Sequence, residues 1–343
     1  MISLDDCLNG IDDKMRASKE KVLYNQFCTN KPIFSFGLLE KYGYRLSQII
    51  GLNKSVLNKR IVVFAADNGV SKMGLSVFKQ SHTVEVVTLL KQGKTPLNKI
   101  SSRYNIPIWC IDIGLNGCCE EDEILISRKV GHSTKNIFYE DAVPFESMLK
   151  AIGVGIEIAE KCSKEGIDIV ALGEVGIGNT ISASAITSIV LELDAKDVTG
   201  RGTGIDNNKL SEKYNVVSEI VDRCRHLKDD PLALLAAAGS YEIIGSVGFL
   251  IGCAYYKIPV IIDGFITGVS ALLACCISPN IRKYLFASHM SAEPGHKHIL
   301  KKLDIKPVLD LKMRFGLATG AAIAMQLYDV SYLLTNNYDK CSF

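Results

Sequence analysis

The stretch "IDIVALGEVGIGNT", residues 167–180, decides the fold. An apolar, partly β-branched run ends in Glu174 and the glycines Gly176 and Gly178, and the helix-like "ISASAI" follows at once. A run with no polar alternation is a strand buried on both faces, as in a parallel sheet covered by helices on both sides. Three more stretches share this form: "RIVVFAADNG" (60–69), "IPIWCIDIG" (106–114) and "IPVIIDGFITG" (258–268). Each ends in Asp or Glu and Gly before a helical pattern. The expected fold is α/β: a doubly wound, mostly parallel sheet with helices on both faces, plus a smaller helical lobe from the terminal segments. Residues 1–60 and 285–343 are expected to form the lobe and residues 61–284 the sheet domain. In such sheets ligands bind beyond the carboxyl ends of the strands, so the four acidic tips become candidates for one site.

Composition narrows the function. The chain has 343 residues, 48% hydrophobic and 22% charged, with a formal net charge of +2. No block of like charge offers a footprint for nucleic acid or a membrane surface, which leaves a small molecule as the expected ligand. The eleven cysteines are odd in number and include no C-x-x-C, and the polar opening "MISLDDCLNGIDDKM" has no apolar leader core, so a reduced, cytoplasmic protein is expected. Leu232 to Ile262 is the one membrane-like stretch. Glu242, Lys257 and four glycines interrupt it, and a buried helix feeding a core strand explains it better.

Two glycine loops carry the chemistry. Residues 173–180 have the G-x-x-x-x-G-x-T spacing of a phosphate-binding loop, but Asn179 stands where a nucleotide triphosphatase needs lysine. Backbone N–H groups at a helix start can still cradle a phosphate, or the turn can be a packing turn with no ligand. The second loop, "TGRGTGIDNNKLSEKYNVV" (199–217), supplies glycines, the Thr203 hydroxyl and, in the helix that its Asp206 can cap, Lys213 as countercharge. Together they suit a monophosphate. His289, His296 and His298 lie close in sequence without a zinc-ligand spacing, so no metal is expected.

Several segments together resemble the nicotinate-nucleotide:dimethylbenzimidazole phosphoribosyltransferases of cobalamin lower-ligand assembly. They are "ADNGVSKMGLSVFKQSHT", "GEVGIGNTISASA", "TGRGTGIDNNKLSEK", "DPLALLAAAGSYEIIGSVGF", "IPVIIDGFITGVSALLA", "SAEPGH" and "LDLKMRFGLATGAAIA", in the family's order across roughly residues 60–325. The resemblance implies transfer of the phosphoribosyl group of nicotinate mononucleotide to an aromatic base, with no cofactor and no metal. It makes residues 61–284 the phosphoribosyl-binding domain, with the terminal lobe contributing Ser291 and the 315–320 loop. It places the phosphate against Gly176, Gly178, Asn179, Gly202, Thr203, Gly204 and Lys213, and the ribose near Glu174 and Ser291. Asp263 falls at a neighbouring tip, and the aglycone pocket takes in Ser76, Phe78, Gln80, Phe315 and Leu317. It also implies a dimer, which the apolar, glycine-rich "GSYEIIGSVGFLIGCAYY" (239–256) would suit; homodimer and heterodimer with a paralogue are both open.

The chain departs from the family at its reactive position. The family's loop reads Leu-Gly-Glu-Gly-Thr-Gly, its glutamate serving as general base; here residues 315–320 read "FGLATG" and Leu317 occupies the place of the base. The family's Asp-His-Gly tip becomes Asp67-Asn68-Gly69, and Lys79 replaces the proline before Gln80. Three readings follow. The chain is a transferase whose proton goes to Glu174, Asp263 or water, its acceptor being dimethylbenzimidazole or a related benzimidazole or phenol. Alternatively it is a silent, pocket-shaping subunit, or a nucleotide- or α-riboside-binding protein without turnover.

Overall fold

The computed structural model describes residues 2–12, 15–27, 32, 35–52, 54–117 and 119–336. Six strands, β1 (Lys59–Ala66), β2 (Ile108–Gly114), β3 (Leu125–Ser127), β4 (Ile169–Val175), β5 (Val260–Ile262) and β6 (Leu285–Ala287), form one sheet in the order β3-β2-β1-β4-β5-β6. Every neighbouring pair is parallel. The four strands expected from the sequence are β1, β2, β4 and β5. β3 and β6, three residues each, were not foreseen, and β6 lies inside the segment expected to belong to the helical lobe.

The helices among the described residues begin with α1 (Leu4–Gly10), α2 (Lys19–Phe27), α3 (Leu38–Ile50), α4 (His82–Lys91), α5 (Pro96–Tyr104), α6 (Phe145–Lys164) and α7 (Asn179–Leu191). They continue as α8 (Ala195–Val198), α9 (Asn207–Cys224), α10 (Pro231–Ala238), α11 (Tyr241–Tyr256), α12 (Phe265–Ile277), α13 (Pro294–Leu303) and α14 (Thr319–Asn336). Strand alternation sorts them onto two faces. Phe64 of β1 points towards α11, where its ring meets Phe249 edge-on at 5.8 Å. Val63 and its register partner Gly173 point to the opposite face, where the entry to α14 lies on β4. The terminal helices α2 and α3 pack on α14, so the two ends of the chain meet on that face.

The stretch from Leu232 to Ile262 folds as α10, α11 and β5, and none of the described helices is long and apolar enough to cross a membrane. Residues 239–256, expected to suit contact with a second subunit, are instead spent inside the chain: Tyr241 to Ala254 are all buried, against α6, α12 and the sheet. The glycines bring α6 and α11 backbone to backbone. A Cβ on Gly248 would stand 2.1 Å from the carbonyl oxygen of Ile152. No side chain can be inserted there without separating the two helices. We therefore expect Gly248→Val to lower the free energy of unfolding by about 2 kcal/mol or more, read from urea denaturation. An unchanged midpoint would mean that the crossing yields.

Candidate active site

The strand order reverses between β1 and β4, and the crevice of a doubly wound sheet opens at that switch point. Asp67, Asn68 and Gly69 leave β1 on one side of it, and the segment from Glu174 to Gly178 leaves β4 on the other. Gly178, in a left-handed conformation at φ 98°, turns the chain into α7. Gly173 lies within β4, so the turning part of the first glycine loop is only Gly176 to Gly178.

A recess of about 60 Å³ joins the two loops. Gly176, Gly178 and Asn179 line it together with Gly202, Thr203 and Lys213, and Ser71 and Ser76 close it from the segment after β1. Gly204 lies just outside, in a turn where its N–H donates to the Arg201 carbonyl at 2.9 Å. Lys213 is 1% exposed, and its ammonium donates to Thr180 Oγ1 and to the Gly200 carbonyl, each at 2.9 Å. Burial lowers its pKa to about 8, against the pull of the Glu293 carboxylate. Glu293 Oε1 accepts the Gly202 N–H at 2.9 Å and so pins the second loop. Such a recess presents two cations, Lys213 and Arg201, with hydroxyls and a helix start, which is what a phosphate monoester needs.

Beside it sits a pair of carboxylates. Glu174, at the crevice floor, accepts a hydrogen bond from Asn179 Nδ2. Desolvation raises its pKa to about 8, with help from Glu242 and Asp263. Glu242, in the first turn of α11, is wholly buried and held by Asn68 Nδ2 at 3.0 Å. Its own pKa rises to about 7, chiefly through desolvation. Two interacting carboxyl groups of this kind titrate as a pair, and one holds a proton near neutrality.

The turn at residues 316–318 lies against Glu174. Gly316, Leu317 and Ala318 all have positive φ, at 79°, 56° and 58°. Such a run is costly for the two non-glycine residues and persists only where its surroundings hold it. Leu317 N–H donates to the Glu174 carbonyl at 3.2 Å, and Asp263 Oδ1 accepts the Ala321 N–H at 2.8 Å, at the start of α14. Asp263 is 2% exposed, and burial raises its pKa against the opposing effect of His289 and of the backbone N–H groups of Ala321, Gly320 and Ala318. Its carboxylate is engaged in holding the loop.

The expected aglycone residues have different surroundings. Ser76 faces the phosphate recess, and Leu317 is buried above Glu174. Gln80 donates to Ser133 Oγ at 2.9 Å and to the Asn68 carbonyl at 3.3 Å, bracing the tip of β1. Phe78 stacks on His82 with ring centroids 4.3 Å apart, and Phe315 is 60% exposed. Ser291 lies beyond β6 next to Gly264, its hydroxyl accepting the Glu293 N–H at 3.3 Å. Glu242, Glu293 and Asn68 are residues of the site to which the sequence assigns no binding or catalytic role, whereas Thr180 closes the phosphate-loop spacing. Glu242 did leave a signal, as the one carboxylate in the apolar stretch before β5.

The sequence matches the family described as "Phosphoribosyltransferase" over residues 11–342. It is 37% identical to a nicotinate-nucleotide–dimethylbenzimidazole phosphoribosyltransferase of Geobacter sp. (strain M21), over 95% of this chain and 93% of that one. It is 35% identical to the protein of the same name from Clostridium acetobutylicum, over 97% and 95%. A crystal structure of CobT from Thermus thermophilus superposes with a TM-score of 0.87 at 32% identity, covering 92% of this chain and 95% of that one.

The geometry at Asp263 separates holding a loop from moving a proton. We expect Asp263→Ala to cost about 1–3 kcal/mol of stability by orphaning buried N–H groups. The Asp263→Asn variant, which keeps an acceptor oxygen, should retain most of the stability and most of the turnover. Loss of turnover in Asp263→Asn with stability intact would assign the carboxylate a proton instead.

Proposed function

The chain belongs to the nicotinate-nucleotide:dimethylbenzimidazole phosphoribosyltransferase family, and from that premise we propose how its site works with leucine at the position of the family's base. It is a pentosyltransferase that moves the phosphoribosyl group of nicotinate mononucleotide to an aromatic lower-ligand base for cobamide synthesis. In the proposed arrangement the phosphate enters the recess between Gly178, Gly202, Thr203 and Lys213, and the ribose lies over Glu174 towards Ser291. A nitrogen of the acceptor base attacks the anomeric carbon, and the bond to nicotinate breaks. Its electron pair returns to the pyridinium ring, so the leaving group requires no acid. The proton on the acceptor's other ring nitrogen, made acidic as the new bond forms, goes to Glu174.

One observation carries the choice of Glu174: its carboxylate lies under the loop that bears Leu317, with Oε1 3.4 Å from where a Cβ on Gly316 would stand. Leu317 is buried in the turn next to it, and desolvation raises the basicity of the glutamate. A carboxylate with a pKa of about 8 is a stronger base than an ordinary one and matches a reaction run near neutrality. The proposal extends to a dimeric, cytoplasmic enzyme, for which sedimentation of the purified protein is the check of subunit number.

Three results test this. Turnover with dimethylbenzimidazole should rise with pH through about 8, as Glu174 loses its proton. Glu174→Gln should lose about 100- to 10,000-fold in turnover and the rising limb with it, while binding of nicotinate mononucleotide stays within a few-fold. Adding Leu317→Glu to Glu174→Gln should recover turnover; if Glu174→Gln keeps full activity, the assignment fails. For the phosphate, calorimetry should find nicotinate mononucleotide binding more weakly as pH rises through about 8, where Lys213 loses its charge, and Lys213→Met should abolish that dependence.

A further inference from the structure

We infer that a second anion site, for a small molecule carrying more than one negative charge such as a diphosphate or phosphorylated metabolite, lies at the opposite end of the sheet from the crevice. Arg282 and Lys283 immediately precede β6, so they stand at its amino end, whereas the crevice opens at the carboxyl ends. With α2, α3 and the segment after α13 they line a cavity of about 480 Å³. That is the size of a small-molecule pocket.

The charge of the cavity is one-sided. Six of the residues lining it, beside Arg45, are basic or acidic in the proportion of five Lys or Arg (Lys19, Lys41, Arg282, Lys283 and Lys306) to one Asp, Asp304, in a chain whose whole formal charge is +2. Asp304 lies 3.4 Å from Arg282 and is partly spent there. Lys19, Lys41 and Lys306 have no ion pair among the described residues and stand exposed around the rim. Like charges gathered around one concavity repel each other, and an anion placed among them removes that repulsion.

Arg45 supplies the fixed element. It is partly buried, its guanidinium lies 4.5 Å from the centre of the Phe286 ring, and Nη2 donates to the carbonyls of Lys283 and Leu285 at 3.2 and 3.1 Å. Neither a ring face nor a carbonyl neutralises it, and it makes no ion pair among the described residues. Burial lowers its pKa accordingly. A guanidinium clamped in one orientation is a ready half of a bidentate phosphate contact, and the rim lysines add mobile point charges. The apolar wall of Leu38, Ile49 and Ile305 would take an organic portion.

Calorimetry with inorganic phosphate, pyrophosphate and ribose 5-phosphate tests the site. The protein should carry Lys213→Met, which weakens the crevice, and the charge reversals at Lys41 and Lys306 separate the two sites. We expect pyrophosphate to bind with one site per chain, more tightly than phosphate, and more weakly as salt is raised. Ribose 5-phosphate binding tighter than phosphate would identify a phosphorylated metabolite as the ligand; parity would point to the free anion. Lys41→Glu with Lys306→Glu, both exposed and outside the core, should weaken pyrophosphate at least about tenfold, with circular dichroism unchanged. No heat up to millimolar pyrophosphate, or binding indifferent to the two charge reversals, would overturn the inference.

Discussion

The backbone of the 316–318 turn rests directly on β4, and it can do so because position 173 has no side chain. A Cβ on Gly173 would stand 2.2 Å from the amide nitrogen of Ala318. The surroundings of Glu174 follow from that contact. It sets the height of Leu317 above Glu174, brings the start of α14 within reach of Asp263, and keeps three consecutive residues left-handed. A larger residue at 173 would lift the turn, and the carboxylate below would gain water and lose its raised pKa.

The same contact makes the leucine intelligible. Glu174 already has its pKa raised by Glu242 and Asp263 beside it, on top of its burial. A further carboxylate at 317 would enter a site crowded with negative charge, whereas an apolar side chain leaves the charges as they are and removes solvent from around them. The basicity a family member draws from a glutamate in the loop can thus come from the strand beneath it. Lys213, in the recess of the second loop, interacts electrostatically with Glu293.

Much of this architecture was legible in the sequence because it is written in runs. β1, β2, β4 and β5 announce themselves as unbroken apolar segments ending at acidic, glycine-rich tips, and the tips of β1 and β4 do flank one crevice. β3 and β6 are three residues long, too short for any period to distinguish them from coil, and so the sheet domain was drawn short of β6. The helix at 241–256 read as a surface for a second subunit because apolar glycine-rich helices pack closely in either setting; only the fold says that α6 is what it meets. Glu242 was seen as a charge that forbids a membrane span, and its second meaning appears only when β4 is laid beside α11. Phe78 and Phe315 were placed in an aglycone pocket by the family resemblance alone, because the direction in which an aromatic ring is turned is a matter of geometry that no motif encodes.

The order of the chain also has a bearing on when this site comes into being. The strand at the centre of the sheet is made first of the six, and the strands on either side are added outwards, so the sheet can grow as the polypeptide leaves the ribosome at about 5–20 residues per second. The turn at 316–318 follows all of them. Until it is laid down, Glu174 lacks the turn whose backbone rests on β4 beside it. In the proposed mechanism the surroundings of the base are therefore completed last, when the final helix docks, after both glycine loops have been made.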